Sequence, residues 1–180
     1  MTRPRKRDMM LAQQPSRGLP RALMFVLPLL ALGAGCMRHR DVVYADFVDI
    51  PSEGWSRKEF CAFETAKADT AMFADSTARY DVMLTVRHTG ECPYTELLLP
   101  AVQSQDRCTS LPDTIHVRLA GSDGTWRGTH SKGIYSLTDT LLRHTPLPPL
   151  YSLRLYHAMP VERLSGLMSV GITIERADEP

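Results

Sequence analysis

Beyond residue 41 the chain repeatedly alternates apolar and polar side chains with a period of two, the pattern of a strand that buries one face and wets the other. The clearest stretch is 80–88, where Tyr80, Val82, Leu84 and Val86 fall on one face and Asp81, Met83, Thr85 and Arg87 on the other. Residues 113–120 repeat the pattern with Ile115, Val117 and Leu119. Further strands are expected over 42–50, 59–65, 96–103, 133–142, 151–158 and 168–176, about eight in all. Helical spacing is confined to a short stretch over 67–75. Gly121-Ser122-Asp123-Gly124 has the composition of a hairpin turn, and Pro146, Pro148 and Pro149 mark a loop, since proline fixes its own φ and supplies no backbone donor. Short strands separated by turns at this spacing predict an all-β domain over 41–180, an antiparallel β-sandwich of jelly-roll-like form.

The N-terminus reads differently. Arg3, Arg5, Lys6, Arg7, Arg17 and Arg21 form a basic stretch, followed by an apolar run over 22–32 that is too short to cross a ~30 Å hydrocarbon core comfortably. Leu32-Gly33-Ala34-Gly35-Cys36 then brings small residues up to a cysteine, the arrangement a lipoprotein signal peptidase needs to cut before an acylated thiol. The expectation is a cleaved lipoprotein signal peptide over 1–35, lipidation at Cys36 and a short tether over 36–40. Without residues 1–35, fifteen basic residues face nineteen acidic ones. The remaining cations form no long stripe, so nucleic-acid binding is not expected.

Export places the other cysteines in an oxidising compartment. Cys61, Cys92 and Cys108 are left once Cys36 carries lipid, and three cannot all pair within one chain. Cys92 and Cys108 lie in polar, turn-rich surroundings, and a bridge between them could contribute ~3 kcal/mol through loop closure. Cys61, in Phe60-Cys61-Ala62-Phe63, reads as a buried thiol, although its pairing with either of the others stays open.

No motif commits the chain to catalysis. The histidines at 39, 88, 116, 130, 144 and 157 lack the spacing that converges metal ligands, and no metal or other cofactor is expected. His88 and His157 fall by alternation on apolar strand faces, where a hydrogen-bonded core histidine is the default. A Gly-x-Ser-x-Gly elbow is absent, and the stretch from Gly128 to Gly133 starts like a phosphate loop but continues with Ile134 where lysine is needed. Acidic pairs such as Asp46 with Asp49, or Glu162 with Glu175, read as solvated surface. Trp55 and Trp126 each follow a turn, a position from which an indole packs across the end of a sandwich more often than it offers a sugar platform.

The order of motifs adds to this reading. Cys36 at a lipobox is followed by Phe47-Val48-Asp49-Ile50-Pro51-Ser52-Glu53-Gly54-Trp55-Ser56-Arg57, by Tyr80 to Thr89 with Arg87 and His88, and by Pro93-Tyr94. Leu119-Ala120, Asp123-Gly124, Trp126, Gly133-Ile134-Tyr135, His157-Ala158-Met159, Leu164-Ser165-Gly166 and Val170-Gly171-Ile172 complete the series. In this order the chain resembles the gliding motility lipoprotein GldH family, with the departure that Glu96 stands where that family usually has asparagine. The resemblance implies a membrane-anchored envelope lipoprotein of the bacterial gliding machinery. The same resemblance implies a non-catalytic structural or adaptor component, with the membrane, through the N-terminal lipid, and other envelope proteins as its expected partners. Trp55, Arg87, His88, Tyr94 and Trp126 are its candidate interaction or structural positions, and no small-molecule ligand is expected. Met37-Arg38-His39-Arg40 lacks an acidic run, which points to a domain facing the periplasm. The competing reading is a carbohydrate-binding sandwich that stacks sugars on Trp55, Trp126 and Tyr94. A third is an envelope hydrolase working through His88 or Asp123.

Overall fold

A computed structural model describes residues 41–67, 73, 75–103, 114–148 and 150–177. The signal peptide, the tether, Cys36 and Cys108 lie outside the described residues. Eleven strands occur among them: β1 (Val42–Asp49), β2 (Trp55–Ser56), β3 (Cys61–Glu64), β4 (Tyr80–Thr89), β5 (Glu96–Gln103), β6 (Thr114–Arg118), β7 (Thr129–Ser131), β8 (Ile134–Thr145), β9 (Ser152–Leu155), β10 (Arg163–Leu164) and β11 (Leu167–Arg176). The eight expected strands are β1, β3, β4, β5, β6, β8, β9 and β11. The additions β2, β7 and β10 are two or three residues long, too short to alternate visibly in sequence. Near the expected helix, the described residues show a 3₁₀ turn at Thr65–Lys67. β8 runs three residues past its expected end. β9 stops before 156–158, although the N–H groups of Tyr156 and Ala158 still donate to the carbonyls of Pro100 and Leu98 on β5.

Every strand pair is antiparallel. One sheet has the order β1-β11-β4-β8-β7, a second β3-β9-β5-β6, and β10 pairs with β2 as a small clasp. The long strands pair in a nested series, first with last (β1 with β11), then β3 with β9, β4 with β8 and β5 with β6, so successive partners fall on alternate sheets. That nesting is the jelly-roll topology, in which two sheets close over one core.

Alternation supplies that core. Tyr80, Val82, Leu84 and Val86 of β4 lie beside Val170, Ile172 and Ile174 of β11, and Leu97, Leu99, Ile115, Val117, Leu153, Leu155 and Phe63 come from the other sheet, all in one buried cluster. Each fully buried large side chain contributes about 1.5–3 kcal/mol relative to exposure, which makes the paired inner faces the main source of stability. On the side where β1 and β3 approach, the backbone N–H of Glu64 donates to the Tyr44 hydroxyl at 3.0 Å, tying the two sheets together. Burial and the neighbouring Asp46 carboxylate raise the Tyr44 pKa, so its hydroxyl stays protonated.

Candidate functional surfaces

Two histidines anchor the end of the sandwich that carries the loops after β1, β4, β6 and β9. Gly54 turns the chain into β2 at φ +99°, and a Cβ there would stand 2.9 Å from the Leu164 carbonyl oxygen, so the close approach of β2 to β10 requires glycine. The turn delivers Trp55, 2 % exposed, into the core. Its indole N–H donates to the Glu59 carbonyl at 3.2 Å, and its ring meets His157 edge-on at 5.5 Å. Nε2 of His157 donates to the Trp55 carbonyl at 2.9 Å, because a carbonyl can only accept. Nδ1 of the neutral ring is then a bare acceptor, and it has no hydrogen-bond partner among the described residues. Burial lowers the His157 pKa below the ordinary histidine value, against the opposing pull of its bond to Trp55. A guanidinium N–H of Arg57 donates to the Met159 carbonyl and ties the next loop down.

The second knot is centred on His88, which is fully buried. Its Nδ1 donates to the Thr89 carbonyl at 2.8 Å, and its Nε2 has no hydrogen-bond partner among the described residues. Its ring stacks on Tyr135 at 5.3 Å and meets Trp126 edge-on at 4.7 Å, while His130 covers the other part of Tyr135 at 4.5 Å. The register places Tyr135 directly opposite His88 across the β4–β8 ladder. Trp126 arrives through the expected turn. Gly121 N–H bonds the Thr125 carbonyl, Gly124 takes φ +78°, and the Asp123 carboxylate accepts from both the N–H and the hydroxyl of Thr125 at 3.0 and 2.9 Å. Those two bonds hold Asp123 below the usual carboxylate pKa.

The structure therefore sorts the sequence candidates into separate groups. His88 and Trp126 come together, and Trp55 pairs with His157 instead. Arg87 lies on the outer face of the five-stranded sheet, its guanidinium 4.5 Å from the centre of the Phe47 ring, which itself covers Gly171. Tyr94 is half-buried against the core, and its carbonyl accepts the Cys92 thiol at 3.7 Å. Cys61 and Cys92 are buried thiols, and Cys108, the other half of the expected bridge, lies outside the described residues. Burial raises the pKa of the Cys92 thiol, against the opposing pull of its bond to the Tyr94 carbonyl. Desolvation pushes the Cys61 thiol up to about 12. Asp123 is exposed in its turn whereas His88 is wholly enclosed, so the two groups named for hydrolysis occupy different environments. Reasoning from sequence missed Tyr135, His130 and the pairing of Trp55 with His157. Alternation marks which face a residue takes but not which strand lies opposite.

Exposed apolar side chains lie elsewhere. Phe60, 44 % exposed, packs against Tyr156 at 5.6 Å and under the Arg154 guanidinium at 5.1 Å. Val102, opposite Arg154 in register, and Leu150 are more exposed still. No group of three or more metal-ligating side chains forms among the described residues, and none of their helices is long and apolar enough to cross a membrane.

Among solved structures the chain is similar to one in the structure of tomato aspermy virus, with 7 % identity, a TM-score of 0.34, and coverage of 89 % of this chain and 96 % of that one. It is similar also to the tobacco streak virus coat protein, with 12 % identity, a TM-score of 0.28, and coverage of 76 % and 89 %. Likeness at this level says nothing about function. No curated protein matches the chain. The model of the GldH lipoprotein family matches residues 42–174, from the first residue of β1 into the last turn of ladder in β11, and that match takes in both histidine knots and the whole core, so the chain belongs to the GldH lipoprotein family.

Proposed function

We propose that this protein is a lipid-anchored adaptor of the bacterial gliding apparatus, held at the membrane through Cys36, facing the periplasm and acting by contact with other envelope proteins. Membership of a lipoprotein family supports the anchor and suggests the association with gliding. The observation that carries the adaptor reading is the partition of side chains. Trp55, His88 and His157 are used up inside the fold, while Phe60, Val102 and Leu150 and the outer strand edges face solvent. Such a surface offers backbone and apolar contacts to proteins. Two or three acyl chains, each buried CH₂ worth about 0.8 kcal/mol, make the anchoring durable. Placing the sugar-stacking role on Trp55 is incompatible with its burial, so the carbohydrate reading retains only Trp126 and Tyr94.

The test is a mass spectrum of the membrane-fraction protein beside Cys36→Ala. The expected result is an N-terminal acylated Cys36 in the wild type and release of the variant from the membrane fraction. A wild-type protein cleaved elsewhere and recovered soluble removes the anchor, and turnover of a glycan or ester that is lost with His88→Gln removes the adaptor reading.

A further inference from the structure

Among the described residues, one side of the sandwich is open. Where β1 meets β3, the Tyr44–Glu64 bond joins the sheets. On the opposite side, β6 is the last described strand of its sheet, and among the described residues β7 alone lies beyond β8, covering just Ile134 to Ser136. Between β6 and the uncovered part of β8 lies a groove of about 450 Å³, with Ile115, Val117 and Leu141 as its apolar lining and Asp139 and Arg143 as its charged groups.

The edge of β8 is chemically ready for another strand. The Ser136 carbonyl faces β7, since it accepts from the Thr129 hydroxyl. In an antiparallel strand both backbone groups of a residue point to the same side and successive residues alternate, so Thr138 and Thr140 present their N–H and C=O groups to the open edge. β7 shows that this edge accepts an antiparallel partner, and a strand placed in line with β7 would occupy the groove. The irregularity opposite Val82 and Met83 bends β8 after Thr140, which limits such pairing to residues around 137–141.

Charge indicates what would bind. Residues 114–145, which build this wall, carry Arg118, Arg127, Lys132 and Arg143 against Asp123 and Asp139, while the chain beyond residue 35 has fifteen basic and nineteen acidic residues. Arg127 already lies 3.9 Å from Asp139 and Arg118 lies 3.8 Å from Glu96, whereas Arg143 has no carboxylate partner among the described residues. We propose that the open edge of β8 binds an extended acidic segment of another envelope protein by strand addition, with alternate apolar side chains entering the groove over Ile115, Val117 and Leu141. Main-chain bonds to Thr138 and Thr140 supply affinity, and the groove and Arg143 supply selectivity. The inference rests on the adaptor reading and gives it a site.

A photo-crosslinking side chain is installed in the full-length, membrane-anchored protein at position 141, which lines the groove, and separately at position 102 on the outer face of the four-stranded sheet. The expected result is a crosslink from position 141 to an acidic segment of extended sequence, reduced about tenfold by Thr140→Pro. That proline removes only an outward N–H, and proline is tolerated on strand edges. Arg143→Glu, which leaves every backbone bond in place, is expected to weaken the same crosslink. In the captured complex the amides of Thr138 and Thr140 should exchange more slowly than in the free protein. A crosslink at 141 that survives Thr140→Pro in a folded variant overturns strand addition, and one that joins two copies of this chain overturns the acidic partner. Crosslinks at 102 with none at 141 overturn the edge proposal and leave the adaptor reading standing, whereas silence at both positions removes both.

Discussion

The buried histidines carry the sharpest consequences at the scale of single residues. His157 is held neutral by burial, so its folded pKa lies below the 6.5 of an unfolded chain. The unfolded state then binds a proton at a pH where the folded state does not, and stability present above about pH 6.5 is lost as pH falls through the folded pKa. Urea midpoints measured between pH 7.5 and 5.5 should fall, and the slope should shrink in His157→Gln. A wild-type midpoint that is flat over this window would contradict the assignment. Gly166 is a second test. It takes φ +80°, and a Cβ there would lie 2.5 Å from the Cys92 Cα, a backbone atom that cannot swing aside. Gly166→Ala should cost about 1–3 kcal/mol in urea unfolding. Cys61, with its thiol pushed up to about 12 and 1 % exposed, should resist alkylation in the native protein and react once it is unfolded.

Short elements do more here than their length suggests. The clasp of β2 with β10 is two residues on each side, yet it seats Trp55 and Leu164 opposite each other in the core. Trp55→Ala removes a buried indole and the edge contact to His157, and should lower stability by about 3–5 kcal/mol in denaturant unfolding. A Trp55 variant of unchanged stability would return the indole to the role of a surface contact. Most long elements were legible from alternation. Tyr80 to Val86 shows its buried face in the order of its letters, and Ile115, Val117 and Leu119 do the same. The clasp and β7 were not, because two or three residues cannot display a period and are held in place by partners more than a hundred residues away in one case and across a tight turn in the other.

For the molecule as a whole, the nested pairing sets the folding problem. β1 must find β11 across nearly the whole domain, and local contacts offer little reward before that closure. Refolding measured by stopped flow should fall in the roughly millisecond-to-second range of all-β topologies, and a microsecond phase carrying most of the amplitude would contradict it. The same nesting leaves the two sides of the sandwich unequal among the described residues, one tied by Tyr44 and one open between β6 and β8, and this inequality is the reason the proposed strand addition is assigned to a single edge.

What the amino-acid sequence determined by itself was local or compositional: eight strands, their inner faces, the Asp123 turn, the burial of His88 and His157, and the family to which their order belongs. All of these depend on residues within a few positions of one another, or on the order of such groups along the chain. Only the tertiary structure decided which strands are neighbours, that His88 lies under Trp126 and Tyr135, that Trp55 pairs with His157, and that the described residues leave an edge of β8 open. Those outcomes depend on pairings between distant segments, and a period of two is indifferent to the identity of the strand across the ladder.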